Sequence, residues 1–129
     1  MSVISEPTVH LNVRLVHHPA DGAGERVLAT DVDVADSAFA RARGLMFRSS
    51  IPEGYALWFP FGRADSRTLH MLFVPFAIDA VWLVDDTVTA VKRLVPFVGL
   101  GRARADSVVE LPAGAATDVD VGDRIERRQ

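Results

Sequence analysis

Hydrophobic and polar residues alternate along much of the chain. Val9, Leu11, Val13 and Leu15 are separated by His10, Asn12 and Arg14, a period of two that predicts a half-buried strand. HHPADGAGE, with Pro19, Asp21, Gly22 and Gly24, reads as a loop, and RVLATDVDVA as a second strand. The pattern changes in DSAFARARG. There Asp36 or Ser37 can accept hydrogen bonds from the free amides of a first helical turn, and Gly44 can close the last one. A short helix from about Ser37 to Arg43 is expected.

Beyond it the chain reads as β. YALWFPF and RTLHMLFV are strands, and a turn at Val74 and Pro75 folds the second back onto the strand that follows. DAVWLVDDTVTAVKRLV reads as a hairpin about Asp85 and Asp86. VGLGRARAD is a loop, SVVELP a strand, AGAATDVD a single helical turn, and VGDRIERR a closing strand. Many short strands and one short helix predict a mainly β fold, a β-sandwich or barrel, in one small domain spanning residues 1–129.

Composition narrows the function classes. A chain of 129 residues can bury a real core, and 49% hydrophobic with 24% charged residues is ordinary for a globular protein. A net charge of −3 argues against general nucleic-acid binding. The absence of cysteine excludes disulfides, thiolate catalysis and cysteine zinc sites. The opening MSVISEPTVHLNVRLVHH lacks the basic start and apolar core of a secretion signal. The longest apolar run, LHMLFVPFAIDAVWL, is too short to span a membrane and contains Pro75 and Asp79. A cytoplasmic protein with no membrane span is the expectation.

Three stretches, ARGLMFR, HMLFVPFAIDAVWLVDD and VVELPAGAATDVDVGDRI, together resemble the domain of unknown function 192, also called uncharacterised protein family 0127. The resemblance covers about residues 26–127. It implies a small, sandwich-like β domain with one short helix and no established activity. Many relatives have Trp-Met-Lys-Asn-Thr where this chain has His70, Met71, Leu72, Phe73 and Val74, so only Met71 fits that pattern.

The candidate chemistry centres on the longest apolar run. A turn at Pro75 sets His70 opposite Asp79, where the carboxylate would orient the imidazole and favour its charged form. That arrangement suits a general base or an anion anchor, but it also suits two buried polar groups that merely satisfy each other. No Gly-x-Ser-x-Gly elbow surrounds Ser37, Ser66 or Ser107. His17 and His18 should point to opposite faces at a solvated strand end, and DVDVGD fails the calcium-loop pattern, with Val119 and Val121 inward and Asp123 in a turn. No metal and no cofactor are expected.

Arg41, Arg43 and Arg48 around Gly44 could clamp an anion, or simply form a solvated face. Aromatic residues between Trp58 and Trp82 could line a groove, although core is the commoner role. Met71, Phe73, Ile78 and Trp82 read as core, and Phe61 and Phe97 as exposed. The leading expectation is a non-catalytic module that binds a small ligand or protein partner at His70, Asp79, Arg48 and Phe61. The alternative is a small hydrolase or isomerase using His70, oriented by Asp79, as acid or base. An interaction protein pairing through a sheet edge is a third reading.

Overall fold

The computed structural model describes residues 8–129, so the first seven residues of the opening stretch read for a secretion signal lie outside it. The strands are β1 (Val9–Leu11), β2 (Arg14–His18), β3 (Arg26–Ala29) and β4 (Asp31–Val34), then helix α1 (Ala38–Arg43). They continue as β5 (Tyr55–His70), β6 (Ile78–Val84), β7 (Thr87–Leu94), β8 (Leu100–Pro112) and β9 (Arg124–Arg128). All nine join one sheet in the order β1-β4-β5-β8-β6-β7-β9-β2-β3, antiparallel except for β4 beside β5. The expected mainly β class with a single short helix is what the described residues adopt.

The helix forms where its caps predict. Ser37 Oγ accepts from the Ala40 amide at 3.0 Å, and Gly44 ends the helix at φ 50°. The hairpin at Asp85 and Asp86 also holds, since both residues take left-handed backbone (φ 48° and 65°), the geometry of a two-residue turn that matches strand twist.

The first part of β5 (Tyr55–Phe59), β6 and the last part of β8 (Ser107–Leu111) are buried on both faces, so alternation sorts their side chains into two cores. Leu57, Phe59, Ala80, Trp82 and Val108 face one, and Ala56, Val81, Leu83, Val109 and Leu111 the other. Past the irregularity between Pro60 and Asp65, the far halves of β5 and β8 curl over β6 and β7. Trp82 Nε1 donates to the Arg67 carbonyl at 2.9 Å beneath this arm. Gly101 must be glycine here, because a Cβ would lie 2.7 Å from the Trp82 ring.

Several sequence expectations fail for reasons of long-range pairing. The first two predicted strands each split in two, the second at Thr30, where the amides of Thr30 and Asp31 both donate to the Gly54 carbonyl. YALWFPF and the first half of RTLHMLFV form one strand, which ends at His70, and most of the supposed loop VGLGRARAD is the start of β8. Most consequentially, β5 and β6 do not pair, because β8 lies between them. Val121 is exposed, and Phe73 stands 51% exposed at φ 60°. Phe47 and Phe97 share that left-handed backbone (φ 69° and 64°), which costs a residue with a Cβ about 1–2 kcal/mol.

Candidate functional site

With β8 inserted, His70 faces Leu100, while Asp79 faces Arg93 on one side and Leu111 on the other. The two expected partners therefore have other ones. Asp79 is buried and fully engaged, accepting from Arg93 Nε at 2.7 Å and from the amides of Gly114 at 2.9 Å and Ala116 at 3.0 Å. It clasps the turn after β8 to the start of β6. His70 is exposed, and its Nδ1 accepts from the Leu72 amide at 3.2 Å. In a neutral ring that leaves Nε2 as the donor.

His70 nonetheless lines a cavity, and its companion there is Glu110. This cavity of about 150 Å³ lies between the end of α1, the middle and end of β5, and β8, with Arg41, Arg43, Gly44, Phe59 and Thr68 among its walls. Glu110 is buried, and its Oε1 has no hydrogen-bond partner among the described residues. Burial raises its pKa to about 8, against the opposing field of Arg48, so the carboxyl is predominantly protonated at neutral pH. Gly44 keeps the space before it open, since a Cβ there would sit 3.7 Å from Oε1 and 3.4 Å from the Phe59 ring. A neutral acid with a free oxygen can both donate to and accept from a small group entering the cavity.

The sequence reading passed over Glu110. Its signal is visible in SVVELP, where a carboxylate interrupts the buried run Val108–Leu111, which is apolar at its other positions. The other two expected site residues lie beside the cavity. Arg48 donates to Tyr55 Oη at 3.0 Å, and Tyr55 donates to Asp33 Oδ2 at 2.9 Å; burial is the main cause holding the Tyr55 hydroxyl protonated. Phe61 is half-buried against the core rather than exposed, with the Arg67 guanidinium 4.2 Å from its ring centroid and Arg41 at 5.8 Å.

Two polar groups arise from register alone. His17 is buried, not solvated, with Nε2 at 2.7 Å from Asp123 Oδ2. Burial pushes the Asp123 carboxyl up, but the amides of Ala20 and Asp120 and the His17 ring more than offset it, so its pKa is lowered. His10 pairs with Asp33 across β1 and β4, and with Asp31 it forms a trio whose ligand atoms lie within 4.8 Å of one another. One imidazole nitrogen and two carboxylate oxygens suit a divalent cation, although the face is exposed and such ion pairs form equally well without one.

The sequence profile of DUF192, described as Uncharacterized ACR, matches residues 19–127. The chain belongs to this family. A UPF0127 protein of Thermococcus gammatolerans is 31% identical over 109 residues, covering 78% of this chain and 68% of the relative. Among solved structures, a Sinorhizobium meliloti 1021 protein described as a candidate transcription regulator superposes with TM-score 0.82 at 23% identity, covering 98% of both chains. A Novosphingobium aromaticivorans protein of unknown function gives 0.74 at 21% identity, covering 88% of this chain and 84% of that one. These two likenesses concern the fold. None of the described helices is long and apolar enough to cross a membrane.

Proposed function

We propose that this DUF192 protein is a non-catalytic small-ligand-binding module, and that the group it takes into the Glu110 cavity is a carboxylate or a similar small oxygen anion. The observation that carries the reading is the buried, unpartnered Oε1 of Glu110. Protonated Glu110 supplies a hydrogen-bond donor to an incoming oxygen, and a bond to an ionised acceptor is stronger than a neutral one. Arg41 and Arg43 in the cavity wall add positive charge, and His70 adds a second donor. A volume of about 150 Å³ admits a few-atom group or the head of a longer ligand, well short of a drug-sized molecule. In this reading His70 remains a ligand contact, Arg48 acts on Glu110 through its field, and Asp79 and Phe61 support the surrounding fold.

A thermal-shift comparison of acetate, propionate and lactate with their amides, near pH 6 and near pH 9, tests this directly. Wild type should be stabilised by the carboxylates more than by the amides, and more at the lower pH, where Glu110 holds its proton. Glu110→Gln should lose that pH dependence. Equal shifts in both proteins at both pH values, or no shift at all, would overturn the assignment.

The enzymatic alternative loses Asp79 as the orienting group. One observation keeps a revised form: a carboxyl that titrates near neutrality and an imidazole line the same cavity. It stands only if a turnover is found that Glu110→Gln abolishes while ligand binding persists.

A further inference from the structure

Three phenylalanines at one end of the sheet hold an uncommon backbone. Phe47, Phe73 and Phe97 lie in three different loops, each at positive φ and each more than half exposed (67%, 51% and 58%). The loops are tied together, with the Phe47 amide donating to the Phe73 carbonyl at 2.9 Å and the Phe97 amide to the Val74 carbonyl at 3.0 Å. The Phe47 and Phe73 rings stack at 4.9 Å. Leu72, Val98 and Leu100 join them as exposed aliphatic residues, Val98 at 80%. Left-handed backbone disfavours bulky side chains, so three together, all turned to water, are not explained by packing.

The charge around this patch is one-sided. Residues 37–52, 66–78 and 87–105, which include these loops, contain no aspartate or glutamate, although the chain has 17 and a net charge of −3. The same segments hold eight of its 14 lysines and arginines and also His70, of which Arg43 and Lys92 stand at the patch itself. Arg43 lies 6.0 Å from the Phe47 ring centroid, and Lys92 donates to the Leu100 carbonyl at 2.6 Å. Asp79, which follows the Phe73 loop, is paired to Arg93, and Glu110 is buried.

We propose that this end of the molecule docks on an anionic lipid surface, with the three phenylalanines entering the interface and the cations meeting the headgroups. A second copy fits poorly, because a two-fold contact would set cation against cation. A nucleic acid fits poorly too, since exposed valines and leucines offer nothing to phosphate or base edges. An apolar tip rimmed by arginine and lysine matches a bilayer boundary in both of its parts. This inference is independent of the ligand proposed for Glu110.

Co-sedimentation of the full chain with phosphatidylcholine vesicles, and with the same vesicles containing phosphatidylserine, reads it directly. Binding to the anionic vesicles should exceed binding to the neutral ones and weaken with added salt. Replacing all three phenylalanines by asparagine, which tolerates left-handed backbone, should lower vesicle affinity about tenfold or more. Phe97→Asn alone should melt no lower than wild type and should itself bind the anionic vesicles more weakly, which keeps loss of binding distinct from loss of fold. Absence of binding to both vesicles at low salt overturns the proposal, including where an acidic protein binds the face instead. So does anionic binding that the triple variant leaves unchanged, since that would be charge alone.

Discussion

Asp79 on β6 and Glu110 on β8 are buried acids on adjacent strands, one position out of register, with Ala80 facing Glu110 and Asp79 facing Leu111. That single step sends them toward opposite faces of the sheet. On its face Asp79 meets an arginine and two turn amides. On the other, Glu110 meets the Phe59 ring, an open glycine and no donor within reach of Oε1. Burial is common to both; the supply of donors is not. A buried carboxyl whose neighbours saturate it holds a fold together, and one left with a free oxygen is available to a ligand.

The sharpest test of this contrast is the dependence of stability on pH. Folded Glu110 keeps its proton to about pH 8, whereas the unfolded carboxyl releases it near 4.5. Between those values the folded state binds more protons, so stability is full below 4.5 and declines as pH rises through 8. The decline should reach up to roughly 4 kcal/mol between about pH 5 and about pH 9, read by urea unfolding. Glu110→Gln should flatten it and leave the variant the more stable protein at the alkaline end. An unchanged profile would mean that Glu110 ionises normally and that the contrast with Asp79 is false.

Asp79→Ala approaches the comparison from the satisfied side. It strands the amides of Gly114 and Ala116 and removes the partner of Arg93. A loss of about 3 kcal/mol is expected in the same measurement, with ligand response at Glu110 retained under conditions where the variant stays folded. A loss below about 1 kcal/mol would show that water replaces the clasp and that Asp79 is not structural in the sense argued.

How much of this the sequence disclosed follows the range of the interactions involved. Ser37 with Gly44, and Asp85 with Asp86, are local devices whose chemistry lies within a few residues, and both elements formed as read. The pairing of β8 between β5 and β6 is non-local, and no periodicity in residues 69–83 indicates which strand comes to lie alongside. Symmetry about Pro75 therefore points His70 to Asp79, although each has another neighbour. Phe73 departs from its expected place for a related reason. Alternation puts it in the core only if the strand continues, but β5 stops at His70 and the chain turns left-handed. Glu110 was legible in kind, as an acid in a doubly apolar strand, but its missing partner is a property of packing.

The smallest effect tests His70, the one residue of the expected site that lines the Glu110 cavity. His70 is exposed and contributes one hydrogen bond to its own turn, so His70→Ala should change stability by no more than about 0.5 kcal/mol. Ligand response at the Glu110 cavity should nevertheless fall, because the ring forms part of its wall. An alanine alone confounds wall and turn, since it also frees the Leu72 amide beside Phe73. His70→Asn separates them. Its side-chain oxygen can accept from an amide two residues on, as asparagine commonly does in turns, so the loop is kept while the imidazole is lost. If binding falls in both variants, the ring itself contacts the ligand. If only alanine loses it, His70 acts by shaping the loop, and Glu110 is left as the chemical centre of the site.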